Sequence, residues 1–310
     1  MTTAPVASTA PPRNPTTARR PAPAQLAAAA STLTPAAGPG PWQVVGIMRH
    51  GFYAASETGA VLPVLGPTAL RLPTAVLVPE LTGERLGSLQ MGGALRVEAG
   101  RIVTEHFHCA VRRRWNPTRI RPCDRARRAS AAAVSASIAH PAWPETGIED
   151  LAHRAARLVH AGRALDPGAV DSALAALLGL GPGSTPSGDD AVCGVLLALR
   201  QVRAVPALDL LRNRLRAALA ARPAPTGGLS ASLLDAAAAG ACVPEVRAAL
   251  ELLVSGAPAG PIARAVAAVG TSSGADILCG AAAVHLTDAT APDSGPAAVP
   301  PSASPVAPSS

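Results

Sequence analysis

One ten-residue pattern, written twice, limits this chain more than any other feature. Thr185-x-Ser187-Gly188-x-Asp190-x-x-Cys193-Gly194 recurs as Thr271-x-Ser273-Gly274-x-Asp276-x-x-Cys279-Gly280, with six of the ten positions identical. Each copy follows a helical pattern and opens a second helix of small apolar residues. Hydroxyl residues just ahead of a helix are suited to capping it, and acidic residues in its first turn complement the macrodipole. Gly194 and Gly280 leave room for a close helix neighbour. The duplication predicts two related helix–loop–helix units within one α-helical domain.

The chemistry of the loops is read from the same residues. A helix start offers backbone N–H groups, the hydroxyls stand beside them, and glycine lets a ligand approach. The candidate ligand-binding residues are Thr185, Ser187 and Gly188 in the first loop and Thr271, Ser272, Ser273 and Gly274 in the second. The candidate catalytic residues are Asp190, Asp276 and Asp189; the second copy has Ala275 where the first has Asp189. Asp190 and Asp276 act either as proton carriers or by holding one Mg²⁺ between the loops. A third Gly- and hydroxyl-rich segment, Thr226-Gly-Gly-Leu-Ser230, precedes another helix; Ser230 is read as a further wall of the site or as a plain N-cap. Cys193 and Cys279 each follow their aspartate by three residues, a spacing that suits a tight helix seam better than a thiol nucleophile.

Composition narrows the partners. The chain has 310 residues, enough for one large or two modest domains, and 48% of it is hydrophobic although only 2% is aromatic. A core of Leu, Val and Ala points to close-packed helices. The net charge is +7, carried by arginine with no lysine at all. That pattern reads as a coding bias, and the Arg112–Arg128 stretch has only Trp115 to offer as a stacking platform, so nucleic acid is not an expected partner. No run has membrane-spanning length. Arg19-Arg20 is a weak match to an export signal, interrupted by Pro21, Pro23 and Gln25. Five cysteines without a CxxC pair fit reduced thiols and a cytoplasmic location.

Along the chain, residues 1–41 read as a disordered Ala/Pro-rich tail. Residues 42–115 form a β-rich domain, a small barrel or a sandwich, with strands at Val44–Met48, Val61–Leu65, Ala75–Val78 and Leu95–Val97 and turns at Gly66-Pro67 and Ala99-Gly100. His106 and His108 share a strand face without a third metal ligand nearby. Residues 116–145 read as an Arg/Ala-rich solvated connector, 146–287 as the α-helical domain, and 288–310 as a second disordered tail. The expected helices start near Ile148, Ala169, Asp190, Ala207, Ser230, Pro244, Ile262 and Ala275. The fold class is therefore α+β.

Three blocks, in order, resemble the signature of a known bacterial family. They are Gly179-Leu-Gly-Pro-Gly-Ser-Thr-Pro-Ser-Gly-Asp-Asp190, Thr226-Gly-Gly-Leu-Ser-Ala-Ser-Leu-Leu234 and Gly270-Thr-Ser-Ser-Gly-Ala-Asp-Ile-Leu-Cys-Gly280. The family is typified by the H subunit of oxamate carbamoyltransferase, from anaerobic allantoin breakdown. Gly66-Pro67 and Ala110-x-x-x-x-Trp115-x-Pro117 also look like its N-terminal part, and the likeness spans roughly residues 45–287. Ser184 departs from the leucine of the family pattern. The resemblance implies that oxalurate and phosphate interconvert with oxamate and carbamoyl phosphate, and that companion subunits complete the enzyme. The expected partners are thus a small anionic substrate, phosphate and other subunits. Two alternatives stand beside it: a Mg²⁺-dependent hydrolase of the α-helical paired-aspartate type, and a non-catalytic subunit that binds a small anion.

Overall fold

The structure is a computed structural model and describes residues 25–31, 40–98, 100–105, 107–138, 150–202, 205–221 and 226–289. His106, residues 139–145 of the connector and the outer parts of both tails lie outside the described residues.

Short β-branched and aromatic runs separated by glycine and proline build a closed eight-stranded barrel. Its strands are β1 (Gln25–Ala30), β2 (Gly40–Met48), β3 (Gly51–Ser56), β4 (Val61–Leu65), β5 (Val76–Leu77), β6 (Ala94–Glu98), β7 (Arg101–Val103) and β8 (His108–Trp115), in the spatial order β1-β5-β4-β3-β2-β6-β7-β8. Alternate residues point inward, so Trp42, Val44, Phe52, Leu62, Val64, Leu95, Ile102 and Cys109 fill the interior. Phe52 and Phe107 meet edge to face there, with centroids 6.2 Å apart. Of the two architectures the sequence allows, the barrel is the one formed.

The seam is closed by β1, which lies parallel to β8 and antiparallel to β5. This corrects the expectation of a disordered tail over residues 1–41 at Gln25–Ala30 and at Gly40 and Pro41, the start of β2. The segment Gln25-Leu-Ala-Ala-Ala-Ala30 is too bland to announce a strand by itself, yet two neighbours satisfy its backbone and Ala27, Ala29 and Ala30 are buried.

The barrel also holds the short helix α1 (Gly83–Gly87). Beyond it come α2 (Arg125–Ile138), α3 (Leu151–Arg163), α4 (Pro167–Ala175), α5 (Ser187–Gln201), α6 (Pro206–Ala221), α7 (Gly228–Ala238), α8 (Pro244–Val254), α9 (Ala259–Val266) and α10 (Ser273–Ala289). The expected helices all appear, with boundaries shifted by a few residues. The connector is corrected: α2 packs on α10 and α8, and its Ala131 and Ile138 lie in the main core. Alanine and serine give that face little hydrophobic signal, but they let two backbones approach closely. No helix among the described residues is long and apolar enough to cross a membrane.

Helix α5 is the axis of the helical part. It is buried along nearly its whole length, with α10 packed along it and α3, α6 and α7 around it. Glycine makes this possible. A Cβ on Gly194 would lie 1.9 Å from the carbonyl oxygen of Ile277, and one on Gly280 would lie 1.9 Å from that of Ala191. The barrel meets this core through β4, whose Leu65 faces the helices while Leu62 and Val64 face the barrel interior. Gly228, at the start of α7, sits directly on the Gly59 carbonyl of the β3–β4 turn.

Candidate functional site

The close α5–α10 seam brings the two duplicated loops together. Thr185 Oγ1 lies 3.3 Å from Ser273 Oγ, across 88 residues of chain. Neither the Thr185 nor the Ser187 side chain caps α5; the cap position is Pro186 and makes no side-chain bond. The Thr185 hydroxyl is turned towards the second loop instead.

Both hydroxyls open into a cavity of about 230 Å³ at the junction of barrel and helices. Of the candidate residues, Thr185, Ser273 and Asp190 line it, joined by Ser184 and Gly270. The remaining wall is largely apolar: Leu197, Leu229, Leu233, Val246, Val269 and Ile277 from the helical side, with Tyr53, Leu70, Leu72 and Pro73 from the barrel side. Among the described residues, Asp190 is the only acidic or basic one (Asp, Glu, Arg, Lys or His) on this wall.

Asp190 is 5% exposed, and its Oδ2 has no hydrogen-bond partner. Burial pushes its carboxyl up to about 8. The Ser273 and Thr185 hydroxyls pull it down, while Asp276 and Asp189 add to the rise. Near neutral pH the group therefore carries its proton most of the time. A buried carboxylic acid of this kind can both donate and accept a hydrogen bond.

Asp189, one residue earlier, is placed quite differently. Its Oδ1 accepts from the Gly179 backbone N–H at 2.8 Å, and its Oδ2 accepts from Thr226 Oγ1 and from Ser230 Oγ at 2.7 Å. It is fully buried and absent from the cavity wall. Ser230 accordingly belongs to this cluster; the cap of α7 is Gly227, without a side-chain bond. Asp189 fastens the 179 turn and the start of α7 to α5.

The other candidates lie behind or beside the wall. Ser187 is buried at the first position of α5, and Gly188 is pressed against the Leu177 carbonyl. The Gly188 and Gly274 N–H groups donate to Leu180 and Val269, so these two amides hold their own loops. Thr271 is exposed, Ser272 half-buried, and Asp276 fully buried in the first turn of α10. His108, on β8, is not among the described residues that line the cavity.

Residues 177–285, which contain both loops, α5, α7 and α10, match the family described as oxamate carbamoyltransferase subunit AllH. The match covers about a third of the chain and lies within its helical part. No curated protein and no solved structure matches the chain. The AllH match holds the cavity's polar end, whereas the wall contributed by Tyr53 and Leu70–Pro73 lies before it.

For Mg²⁺ the donor set is small. Among the described residues no group of three or more His, Cys, Asp or Glu side chains stands together. Asp189 is engaged by three donors, and among the described lining residues Asp190 is the one carboxyl, with the hydroxyls of Ser184, Thr185 and Ser273 on the same wall. Asp276, the second carboxyl expected to hold Mg²⁺, is fully buried in the first turn of α10 and is not among the described lining residues. That leaves Asp190 to meet a metal that commonly takes one or two carboxylates with water. The buried thiols fit packing: burial pushes Cys279 up to about 12 and Cys193 well above the usual thiol range.

Sequence reasoning missed the apolar wall from β3, α7 and α8, because those residues converge only in the folded chain. The signal that was present is the apolar spacing of Leu229, Leu233 and Ala237 on one face of α7.

Proposed function

We propose that this chain is a subunit of a carbamoyltransferase-type enzyme and that its cavity holds the amide or ureido group of a small acid. The reaction is oxalurate with phosphate giving oxamate and carbamoyl phosphate, and the reverse. The observation that carries this reading is the convergence of Asp190, Thr185 and Ser273 on one cavity inside the AllH-matched segment.

In this reading Thr185 and Ser273 donate to the ureido carbonyl oxygen as it gains charge. A phosphate oxygen attacks that carbonyl carbon, and the bond to the oxamate nitrogen breaks. Asp190 passes its proton to the departing nitrogen and regains one from the phosphate hydroxyl, so the protons balance. Among the described residues the cavity wall has no arginine or histidine for a phosphate; companion subunits supply that cation. The reciprocal seats of Gly194 and Gly280 support reading α4–α5 and α9–α10 as two related helix–loop–helix units.

The same lack of a cation also favours a second reading, in which the chain binds its ligand without turning it over. The paired-aspartate hydrolase gains no support from the donor set. The assay is carbamoyl phosphate formation from oxalurate and phosphate, with the purified chain alone and with its companion subunits. Asp190→Asn should lower the rate by roughly 10²–10⁴-fold, the usual weight of a general acid. Absence of carbamoyl phosphate under both conditions leaves the binding reading in place.

A further inference from the structure

We propose that the cavity takes an uncharged amide or urea with a short hydrocarbon body, its polar head at Asp190, Thr185 and Ser273 and its body against the leucines and valines beyond. This rests on the reading that an amide or ureido head sits at Asp190, and it departs from that reading over what the rest of the ligand is.

Three observations converge. First, Thr185, Ser273 and Asp190 stand together, while Leu229, Leu233, Val246, Val269 and Ile277 offer a ligand's far end no hydrogen-bond partner of their own. Against those side chains, in the chain by itself, a ligand carboxylate or phosphate finds no counter-charge among the described lining residues, and Asp190 beside it is a carboxyl group. Second, Asp190 Oδ2 is buried at the cavity wall with no hydrogen-bond partner. An amide N–H satisfies that oxygen, while the amide carbonyl accepts from a Thr185 or Ser273 hydroxyl. Third, the volume of about 230 Å³ exceeds what an amide head alone requires. A dry apolar cavity of roughly 150 Å³ already holds benzene, so this one has space for an amide head with a body of several carbons.

The test uses the full chain and calorimetric titration with butylurea, hexanamide, oxamate and inorganic phosphate. Butylurea and hexanamide are expected to bind at least about tenfold more tightly than oxamate or phosphate. Leu233→Trp, which fills the apolar end from a half-buried position, is expected to weaken butylurea by about tenfold or more. Circular dichroism checks that this variant is folded, and Leu233→Phe replaces it if it is not. Oxamate or phosphate binding as tightly as butylurea overturns the proposal, and so does failure of butylurea and hexanamide to bind at millimolar concentration. The carbamoyl phosphate assay reports separately. Transfer from oxalurate without butylurea binding sinks only the present inference, and butylurea binding without any transfer sinks only the proposed reaction.

Discussion

Gly194 of α5 rests on the carbonyl of Ile277, and Gly280 of α10 rests on the carbonyl of Ala191, each filling the place a side chain would need. The two glycines hold the same position in the duplicated pattern, and so do the two residues they touch. The contact is thus its own mirror under exchange of the helices, which is how two loops 86 residues apart come to face one cavity.

A methyl group has no room in either seat. Gly194→Ala and Gly280→Ala are each expected to cost about 3 kcal/mol, the upper end of overpacking penalties. Urea denaturation measures it. Because both sit in one seam, the double variant should deviate from the sum of the singles. Loss of less than about 1 kcal/mol in either single would mean the helices slide apart cheaply.

Asp190 makes stability depend on pH in a direction unusual for an aspartate. Its folded carboxyl is raised from the ordinary 3.8 to about 8, mainly by burial. Between those values the folded state holds the proton more tightly than the unfolded state, so stability falls as pH rises. The contribution is fully present below about pH 4 and is lost by about pH 8. Thermal melts across this range should show the decline in the native chain and a flatter profile in Asp190→Asn. Ser273→Ala, by removing a hydroxyl that pulls the carboxyl down, should move the decline to higher pH.

Asp189 should behave as a fastener. Asp189→Ala strands the Gly179 N–H and the Thr226 and Ser230 hydroxyls, at a cost of about 3 kcal/mol or more. Equilibrium unfolding should place it well below Asp190→Asn in stability at pH 8. Equal effects of the two substitutions would contradict the division of labour between neighbouring aspartates.

The thiols give an independent check on burial. Cys109 is pushed up to about 11, Cys242 and Cys279 to about 12, in each case mainly by burial. Labelling the folded chain with a thiol reagent at pH 8, followed by peptide mass analysis, should modify half-buried Cys123 first and these three only on unfolding.

The helical part was legible because its punctuation is strong. Pro244 stands at the first turn of α8, and Gly240, Gly256 and Gly270 sit where helices end with positive φ. Gly162, by contrast, lies inside α3, where it makes room for Leu211 of α6. The meeting of the twin loops was also legible, since their shared pattern asked for one shared environment. What the two aspartates do was not. Successive helical residues point about 100° apart, so Asp189 turns to α7 and Asp190 to the cavity, a distinction no string of letters displays. Strand β1 and helix α2 were missed for a related reason: alanine-rich text carries almost no signal, and only the neighbours make it a strand or a helix.

The parallel pairing of β1 with β8 has a consequence for how the molecule is made. Of the barrel's strands, β1 leaves the ribosome first, yet its register partner at residues 108–115 is synthesised some eighty residues later. The ring therefore shuts at the strand made earliest, which has only the short β5 to lean on until β8 arrives and completes its pairing.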